Sequence, residues 1–224
     1  MSACALSILA VLAAVEGGVP RIESLLPVGG IRAEVLRLTA PEPYPTLVVR
    51  FQEAAREHGP WLLEWVKQAG PGPLPWHPNL GLSKAEYETF LALQEQLRFE
   101  AEREVTISVT EKAGWIVLDG GDQLPELWDV ELDPRSMSLR TPLGSCASFK
   151  AVEPSPKQKA TGPWRGFTCS RSAGDPVKGD AESVTFNVGR LADTGKVFLS
   201  YTAKRMRGPG TLERADVYLR YRTQ

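Results

Sequence analysis

The sequence predicts an α+β protein, with helices at about 46–103 packed on a C-terminal antiparallel sheet at about 104–222. Apolar residues recur every three to four positions up to Arg103 and every second position from Val105 onward. These are the periods of an amphipathic helix and of a half-buried strand. Short turn sequences separate the strand-like runs, which indicates an antiparallel meander sheet or a partly closed barrel. With 224 residues, 42% of them hydrophobic, the chain is long enough to bury a core.

Three helices are predicted in the first half of the chain. A helix at 46–58 carries its apolar residues on one face. A second apolar stripe follows directly and closes at Gly70, so the two helices form a hairpin with a very short joint. The third helix, at about 84–103, begins at the capping-box pair Ser83 and Glu86, in which each side chain satisfies a backbone N–H of the first turn.

Nine strands are predicted after the third helix, and their apolar side is expected to face the helices. The segment before the helices is broken by Pro27, Gly29 and Gly30, and a short helix or strand is expected at 31–38. The predicted strands are 105–110, 115–118, 128–132, 136–140, 145–152, 164–170, 183–190, 197–203 and 215–222.

The N-terminus predicts an exported protein. The run 3–15 is uncharged, apolar and of the length of a signal-peptide core. It is too short to cross a membrane, so no integral membrane span is expected. We therefore predict a signal peptide at 1–17 and a single α+β domain at 18–224, with a helical part at 41–103 and a β part at 104–224.

An alternative for the N-terminus is a buried first helix of a cytoplasmic protein. No Lys or Arg precedes the apolar run, and Val15-Glu16-Gly17 matches the small-x-small cleavage pattern poorly. The chain contains 17 Arg and 9 Lys, a preference typical of GC-rich bacterial genomes. The compartment expected from the leader is periplasmic or secreted.

The cysteine count agrees with export. Removal of the leader removes Cys4 and leaves Cys146 and Cys169, both in strand-like runs. An even pair in an oxidising compartment predicts one disulfide. The alternative is two buried free thiols in a reducing cytosol.

The charge distribution argues against nucleic acid as a partner. The formal net charge is -1, from 26 basic and 27 acidic residues, so no global field attracts an anionic polymer or membrane. Locally, 100–133 holds ten acidic and two basic residues, whereas 196–224 holds seven basic and two acidic ones. We interpret this asymmetry as neighbouring strands that offset each other, in preference to an anion site.

Motifs that bind nucleotides, flavins or metals are missing from the sequence. It contains no P-loop, no dinucleotide-binding glycine fingerprint, no nucleophile elbow and no Cys-x-x-Cys pair. With only His58 and His77 present, a three-histidine zinc site is excluded. No cofactor and no metal site are predicted.

His77 is the candidate catalytic residue. It lies between Trp76 and Pro78 in a proline-rich loop that would hold it at the surface, and a hydrolase would pair it with a carboxylate of 119–133. We prefer a structural role for these carboxylates in turns and on a solvent-facing strand. They are Asp119, Asp122, Glu126, Asp129, Glu131 and Asp133.

A binding site at Trp76, His77 and Trp164 is the main functional expectation. Both tryptophans lie beside Pro or Gly, where an exposed indole can contact a protein or a glycan. The sequence therefore favours an exported, non-enzymatic binding protein. The alternatives are the His77 hydrolase and a barrel-like carrier of a small apolar ligand, which would need a closed cavity of several hundred cubic ångströms.

Overall fold

Eleven antiparallel strands form one sheet, and most of the described helical residues lie between its first two strands. The structure is a computed structural model that describes residues 19–69, 74–175, 178–208 and 211–224; the predicted leader at 1–17 lies outside these residues. The helices are α1 Ile22–Leu25, α2 Tyr44–Glu57, α3 Gly59–Ala69 and α4 Lys84–Gln94. The strands are β1 Gly29–Thr39, β2 Arg98–Lys112, β3 Trp115–Asp119, β4 Val130–Asp133, β5 Ser138–Thr141, β6 Gly144–Cys146, β7 Lys150–Val152, β8 Trp164–Ala173, β9 Glu182–Leu191, β10 Val197–Met206 and β11 Leu212–Tyr221.

The sheet consists of two meanders joined through β1. The strand order is β6-β5-β4-β3-β2-β1-β11-β10-β9-β8-β7, which confirms the predicted antiparallel sheet. The two halves are joined where Ala33–Val35 of β1 pairs with Leu219–Tyr221 of β11. A strand was one of the two expectations for 31–38, and β1 Gly29–Thr39 confirms it. The prediction that the β part begins only after the helices was wrong, because β1 precedes them and belongs to the same sheet. Pro27, Gly29 and Gly30 interrupt a helix at this point but allow an extended strand.

The two edges of the sheet curl toward each other, so the sheet is a half-barrel. The edge strand β6 contacts β8 and β9 from the other half. Cys146 of β6 and Cys169 of β8 form a disulfide with a Cα–Cα distance of 6.2 Å, within the normal range. The predicted pairing of these two cysteines is therefore confirmed in geometry, and it joins the two halves at the side opposite β1.

The predicted strand at 145–152 is instead two strands on opposite edges of the sheet. β6 is the last strand of one half and β7 is the last strand of the other. Residues 147–149 carry the chain from one edge to the other. The apolar pattern continues through this crossing because Phe149 also packs against the interior, which is why alternation alone did not reveal the break.

The interior of the half-barrel is filled with side chains. It holds a contiguous apolar cluster that includes Val105, Ile107 and Val109 of β2, the residues whose alternation predicted the strand. Helix α1 closes one end, because its residues Ile22 and Leu25 belong to the same cluster. The buried hydroxyl of Tyr221 donates to the backbone oxygen of Leu25 at 2.8 Å, and burial raises its pKa.

A second apolar cluster lies on the outer face of the sheet. Its buried members are Leu36, Trp164, Leu191 and Phe198. They explain why Val197–Tyr201 of β10 is buried at five consecutive positions, since this strand is covered on both faces. The loop between β7 and β8 is linked to the helices by an ion pair between Lys159 and the residue that follows α4, Glu95.

Helices α2 to α4 do not pack on the face of the sheet as predicted. They form a helical insertion at 40–97 with its own apolar cluster, whose buried members are Leu47, Leu80, Leu82, Tyr87 and Phe90. The helices bury their apolar faces against one another, so little apolar surface is left to pack on the sheet. The third helix ends at Gln94 instead of Arg103, because residues 98–101 pair with 36–39 of β1 and this ladder overrides helix propensity.

We predict that the disulfide stabilises the half-barrel by about 3 kcal/mol, from the loop-closure entropy of a bridge between residues 23 apart in sequence. Chemical denaturation of the double variant Cys146→Ala, Cys169→Ala should show this loss in the free energy of unfolding. The variant should be insensitive to dithiothreitol, and reduced wild type should match it. Equal stability of oxidised wild type and variant would contradict a role for the bridge in closing the sheet.

Candidate functional site

The predicted binding residues lie in two separate parts of the molecule. Trp76 and His77 belong to the helical insertion, whereas Trp164 is the first residue of β8. The expectation of an exposed indole is wrong at Trp164, which is 7% exposed. A Cβ added at Gly189 would lie 2.5 Å from its ring, so the indole occupies the space of a missing side chain. The Gln158 amide also bonds the N–H and C=O of Trp164, at 2.9 and 3.3 Å.

The helical insertion is built on α2 and α4. The predicted capping box is present at the start of α4: the Ser83 N–H donates to the Glu86 carboxylate at 2.8 Å, and the Ser83 hydroxyl accepts from the Glu86 N–H at 3.3 Å. On α2, Tyr44 and Phe51 stack on Phe90 of α4, with ring centroids 5.1 and 5.8 Å apart. These contacts fix the two helices against each other.

An ion pair between Arg50 and Glu86 joins α2 to α4 at the surface. The Arg50 guanidinium contacts both oxygens of the Glu86 carboxylate and also donates to the backbone oxygen of Gly81 at 2.9 Å. The Arg50 hydrogen bond, followed by the bonds from Ser83, lowers the pKa of Glu86 from its ordinary 4.5 to about 2. One carboxylate therefore serves both the helix cap and the contact between helices.

The proline-rich loop that carries Trp76 and His77 is tied to the insertion. Its described part begins at Leu74, and 70–73 lie outside the described residues. The Tyr87 hydroxyl donates to the Leu74 oxygen at 2.7 Å, and the Trp76 indole N–H donates to the Leu82 oxygen at 2.8 Å. The Nδ1 of His77 accepts from the Asn79 N–H at 3.1 Å. Both site residues are thus fixed by the backbone around them.

Three aromatic rings meet at His77. The indoles of Trp61 and Trp65, one helical turn apart on α3, stack with centroids 5.4 Å apart. The His77 ring lies 4.2 Å from that of Trp61 and 6.2 Å from that of Trp65. Trp76, the preceding residue, is 37% exposed. We refer to Trp61, Trp65, Trp76 and His77 as the aromatic surface.

The sequence did not predict that Trp61 and Trp65 belong to this surface. Both were expected in the core, and both do pack against the apolar cluster of the insertion, but each remains partly exposed. A signal was present in α3, where Leu62 and Val66 adjoin them so that apolar residues cover more than one face of the helix. Val66 is 44% exposed. Because α3 is short and apolar on several sides, a small insertion supplies too few neighbouring side chains to bury all of its apolar residues.

The surroundings of His77 do not suit a general base. Because Nδ1 accepts a backbone N–H, the neutral imidazole carries its proton on Nε2 and has no free lone pair. Among the described residues, no hydrogen bond or ion pair joins His77 to a carboxylate of 119–133.

The acidic stretch at 119–133 is used in turns. Asp119 accepts the Gly121 N–H at 2.8 Å. Asp133 accepts the Arg135 N–H at 2.9 Å and the Ser136 hydroxyl at 2.5 Å, and the Ser136 bond is the main cause of a lowered pKa at Asp133. These are the local bonds expected of Asp in turns.

We predict that the Arg50–Glu86 pair makes the helical insertion acid-sensitive. A carboxyl whose folded pKa is depressed contributes stability above its unfolded pKa and loses it as pH falls through the folded value. The difference in free energy of unfolding between wild type and Glu86→Gln, measured by urea denaturation, should therefore shrink as pH falls from about 4.5 to about 2. Glu88→Gln, on the same helix, is the control for the loss of one charge. A difference that is constant with pH would contradict the prediction.

We predict that Gly81→Ala destabilises the insertion by about 1–2 kcal/mol. Gly81 has φ +71°, and a Cβ there would lie 2.7 Å from the Cβ of Ala54 on α2. Gly114→Ala is the matched control, since Gly114 also has a positive φ, +83°, and a Cβ there meets nothing within 4 Å. Thermal unfolding followed by circular dichroism should separate the two variants, and equal effects would show that the contact with α2 is unimportant.

Comparison with protein family models, with curated proteins and with solved structures finds no match to this chain. None of the helices in the described part is long and apolar enough to cross a membrane. Among the same residues, no group of three or more His, Cys, Asp or Glu side chains is placed to hold a metal ion.

Proposed function

We propose that this chain is an exported bacterial, non-enzymatic binding protein that holds its partner on the aromatic surface of the helical insertion. The observation that carries the proposal is the cluster of the stacked Trp61 and Trp65 rings with the tilted ring of His77, which follows the part-exposed Trp76 in the chain. The surface lies on a unit with its own apolar cluster, so a partner can dock there without disturbing the sheet.

The chemistry of the aromatic surface favours a protein partner over a glycan. Rigid aromatic side chains provide large contact areas at low entropic cost and dominate protein interfaces. Glycan recognition also needs polar groups next to the ring, but the Trp76 N–H and the His77 Nδ1 are already bonded within the insertion. The exposed side chain of Val66, which follows Trp65 on α3, adds apolar area.

The disulfide supports export to the periplasm or the medium. Disulfides persist in oxidising compartments and are rare in the cytosol, and Cys146 and Cys169 are paired in geometry. The predicted signal peptide at 1–17 agrees with this compartment. The cytoplasmic alternative would require both cysteines to remain reduced.

Binding is preferred over the two alternatives for separate reasons. A hydrolase needs a base with a free lone pair near a second catalytic group, and His77 has its Nδ1 engaged and bonds no carboxylate of 119–133 among the described residues. A carrier of a small apolar ligand needs an empty interior, whereas side chains fill the half-barrel.

The proposal predicts that Trp76→Ala abolishes capture of the partner. Wild type and variant would be immobilised and exposed to a periplasmic extract, and retained proteins would be quantified by mass spectrometry. Trp76→Ala should lower the amount of the specific partner by at least about tenfold, the effect of losing an interface hot spot. The same pair of proteins on a glycan array tests the glycan alternative.

Trp128→Ala is the matched control, because Trp128 is 59% exposed but lies on the sheet next to β4. It should retain the partner at the wild-type level, and both variants should keep the wild-type circular dichroism spectrum. If wild type, Trp76→Ala and Trp128→Ala retain the same proteins in the same amounts, the aromatic surface is not the binding site.

A further inference from the structure

The first residues of β1 have a free strand edge. β1 pairs with β2 from Gly29 to Thr39, but its pairing with β11 covers only Ala33–Val35. Since β11 ends at Tyr221, opposite Ala33, the residues Gly29–Arg32 have no strand partner on that side within the part of the chain that the structure describes. Backbone N–H and C=O groups on such an edge are a template for an added strand.

The C-terminal tail turns away from this edge and leaves a groove. Arg190 donates to the Thr223 hydroxyl at 3.0 Å, which draws the tail toward β9 and away from β1. The space between the tail and the edge is a groove of 620 Å³, lined by Gly29–Arg32, Tyr221 and Arg222 among others. An extended segment entering it would continue the line of β11.

Glycines leave the backbone of this edge uncovered. A Cβ added at Gly29 would meet nothing within 4 Å, and one at Gly30 would make only an ordinary contact with Thr106. Glycine inside a strand often marks a place where another backbone approaches closely. The adjoining Val28 lines the same groove and is 65% exposed, so apolar area is available next to the free edge.

The charges around the groove favour an acidic occupant. Four cations line it against two carboxylates, a net of two positive charges; they are Arg32, Lys196, Arg220 and Arg222 against Glu34 and Glu104. Glu34 is held by both Lys196 at 3.1 Å and Arg220 at 2.8 Å. Complementary charge of this kind steers an acidic segment toward the groove and disfavours a basic one.

We propose that this groove binds an extended acidic segment of a partner protein, which adds as a strand to the free edge of β1 at Gly29–Arg32. Main-chain hydrogen bonds would provide affinity, and the cations around the groove would select the sequence, as in other cases of strand addition. The site is separate from the aromatic surface and does not depend on it.

The test uses the full chain and a fluorescent peptide of alternating valine and glutamate, with a valine–lysine peptide as the charge control. Fluorescence anisotropy should show saturable binding of the acidic peptide alone, weakening as salt is raised. Two forms of the peptide N-methylated on alternate residues separate strand addition from simple charge attraction. In an extended peptide, alternate N–H groups point to opposite edges, and only one of these edges would pair with β1. The form methylated on the N–H groups that face β1 should therefore lose binding, and the other form should keep it.

Charge reversal at the groove is the second test of the proposal. The double variant Arg32→Glu, Arg222→Glu makes the lining net negative and should weaken peptide binding by at least about tenfold at low salt. Lys84→Glu, at the exposed start of α4, introduces the same kind of charge change on the insertion and should leave binding unchanged. Hydrogen exchange should show unprotected edge amides in Gly29–Arg32 that become protected by the acidic peptide.

Three outcomes would overturn the proposal. In the first, the full chain does not bind the acidic peptide. In the second, both N-methylated peptides bind as well as the parent, which would mean charge attraction without strand addition. In the third, the edge amides are already protected in the free chain, which would mean that another segment of the same chain covers the edge.

Discussion

The pairing of β1 with β2 is the constraint on which the rest of the molecule depends. Thr39 is the partner of Arg98 in the ladder, so the chain between them must leave the sheet and return to the same place. The helices formed by this segment bury their apolar residues against one another. They are joined to the sheet at this end of the ladder and by the ion pair between Glu95 and Lys159. The same constraint explains why the aromatic surface is left open: an excursion this short has too few side chains to cover Trp61, Trp65 and Trp76 completely.

The sheet is closed by a different set of interactions at each side. Three residues of β1 pair with β11 on one side, and the Cys146–Cys169 disulfide joins β6 to β8 on the other. Helix α1 fills the end between them and is held by Tyr221. Because these contacts leave a filled interior, the two partner surfaces that we propose are on the outside, at the insertion and at the edge of β1.

Local signals in the sequence predicted much of the fold. The Ser83–Glu86 capping box, the alternation from Val105 and the pairing of Cys146 with Cys169 are present as expected, because each is encoded by a few residues with defined chemistry. The errors concern long-range contacts. The central place of β1, the end of α4 at Gln94 and the burial of Trp164 depend on partners far away in sequence, such as Gly189. Of the candidate site, the sequence identified Trp76 and His77 but not the contact of His77 with Trp61, since helix periodicity does not show what lies opposite a helix.

The central claim is that the helical insertion is a structural unit separate from the sheet. Native-state hydrogen exchange of the full chain, measured across sub-denaturing urea concentrations, tests it most directly. If the insertion is such a unit, amides of α2 and α4 should exchange through an opening of lower free energy and smaller urea dependence than amides of β9, β10 and β11. A single opening, with the same free energy and urea dependence for both sets of amides, would contradict it.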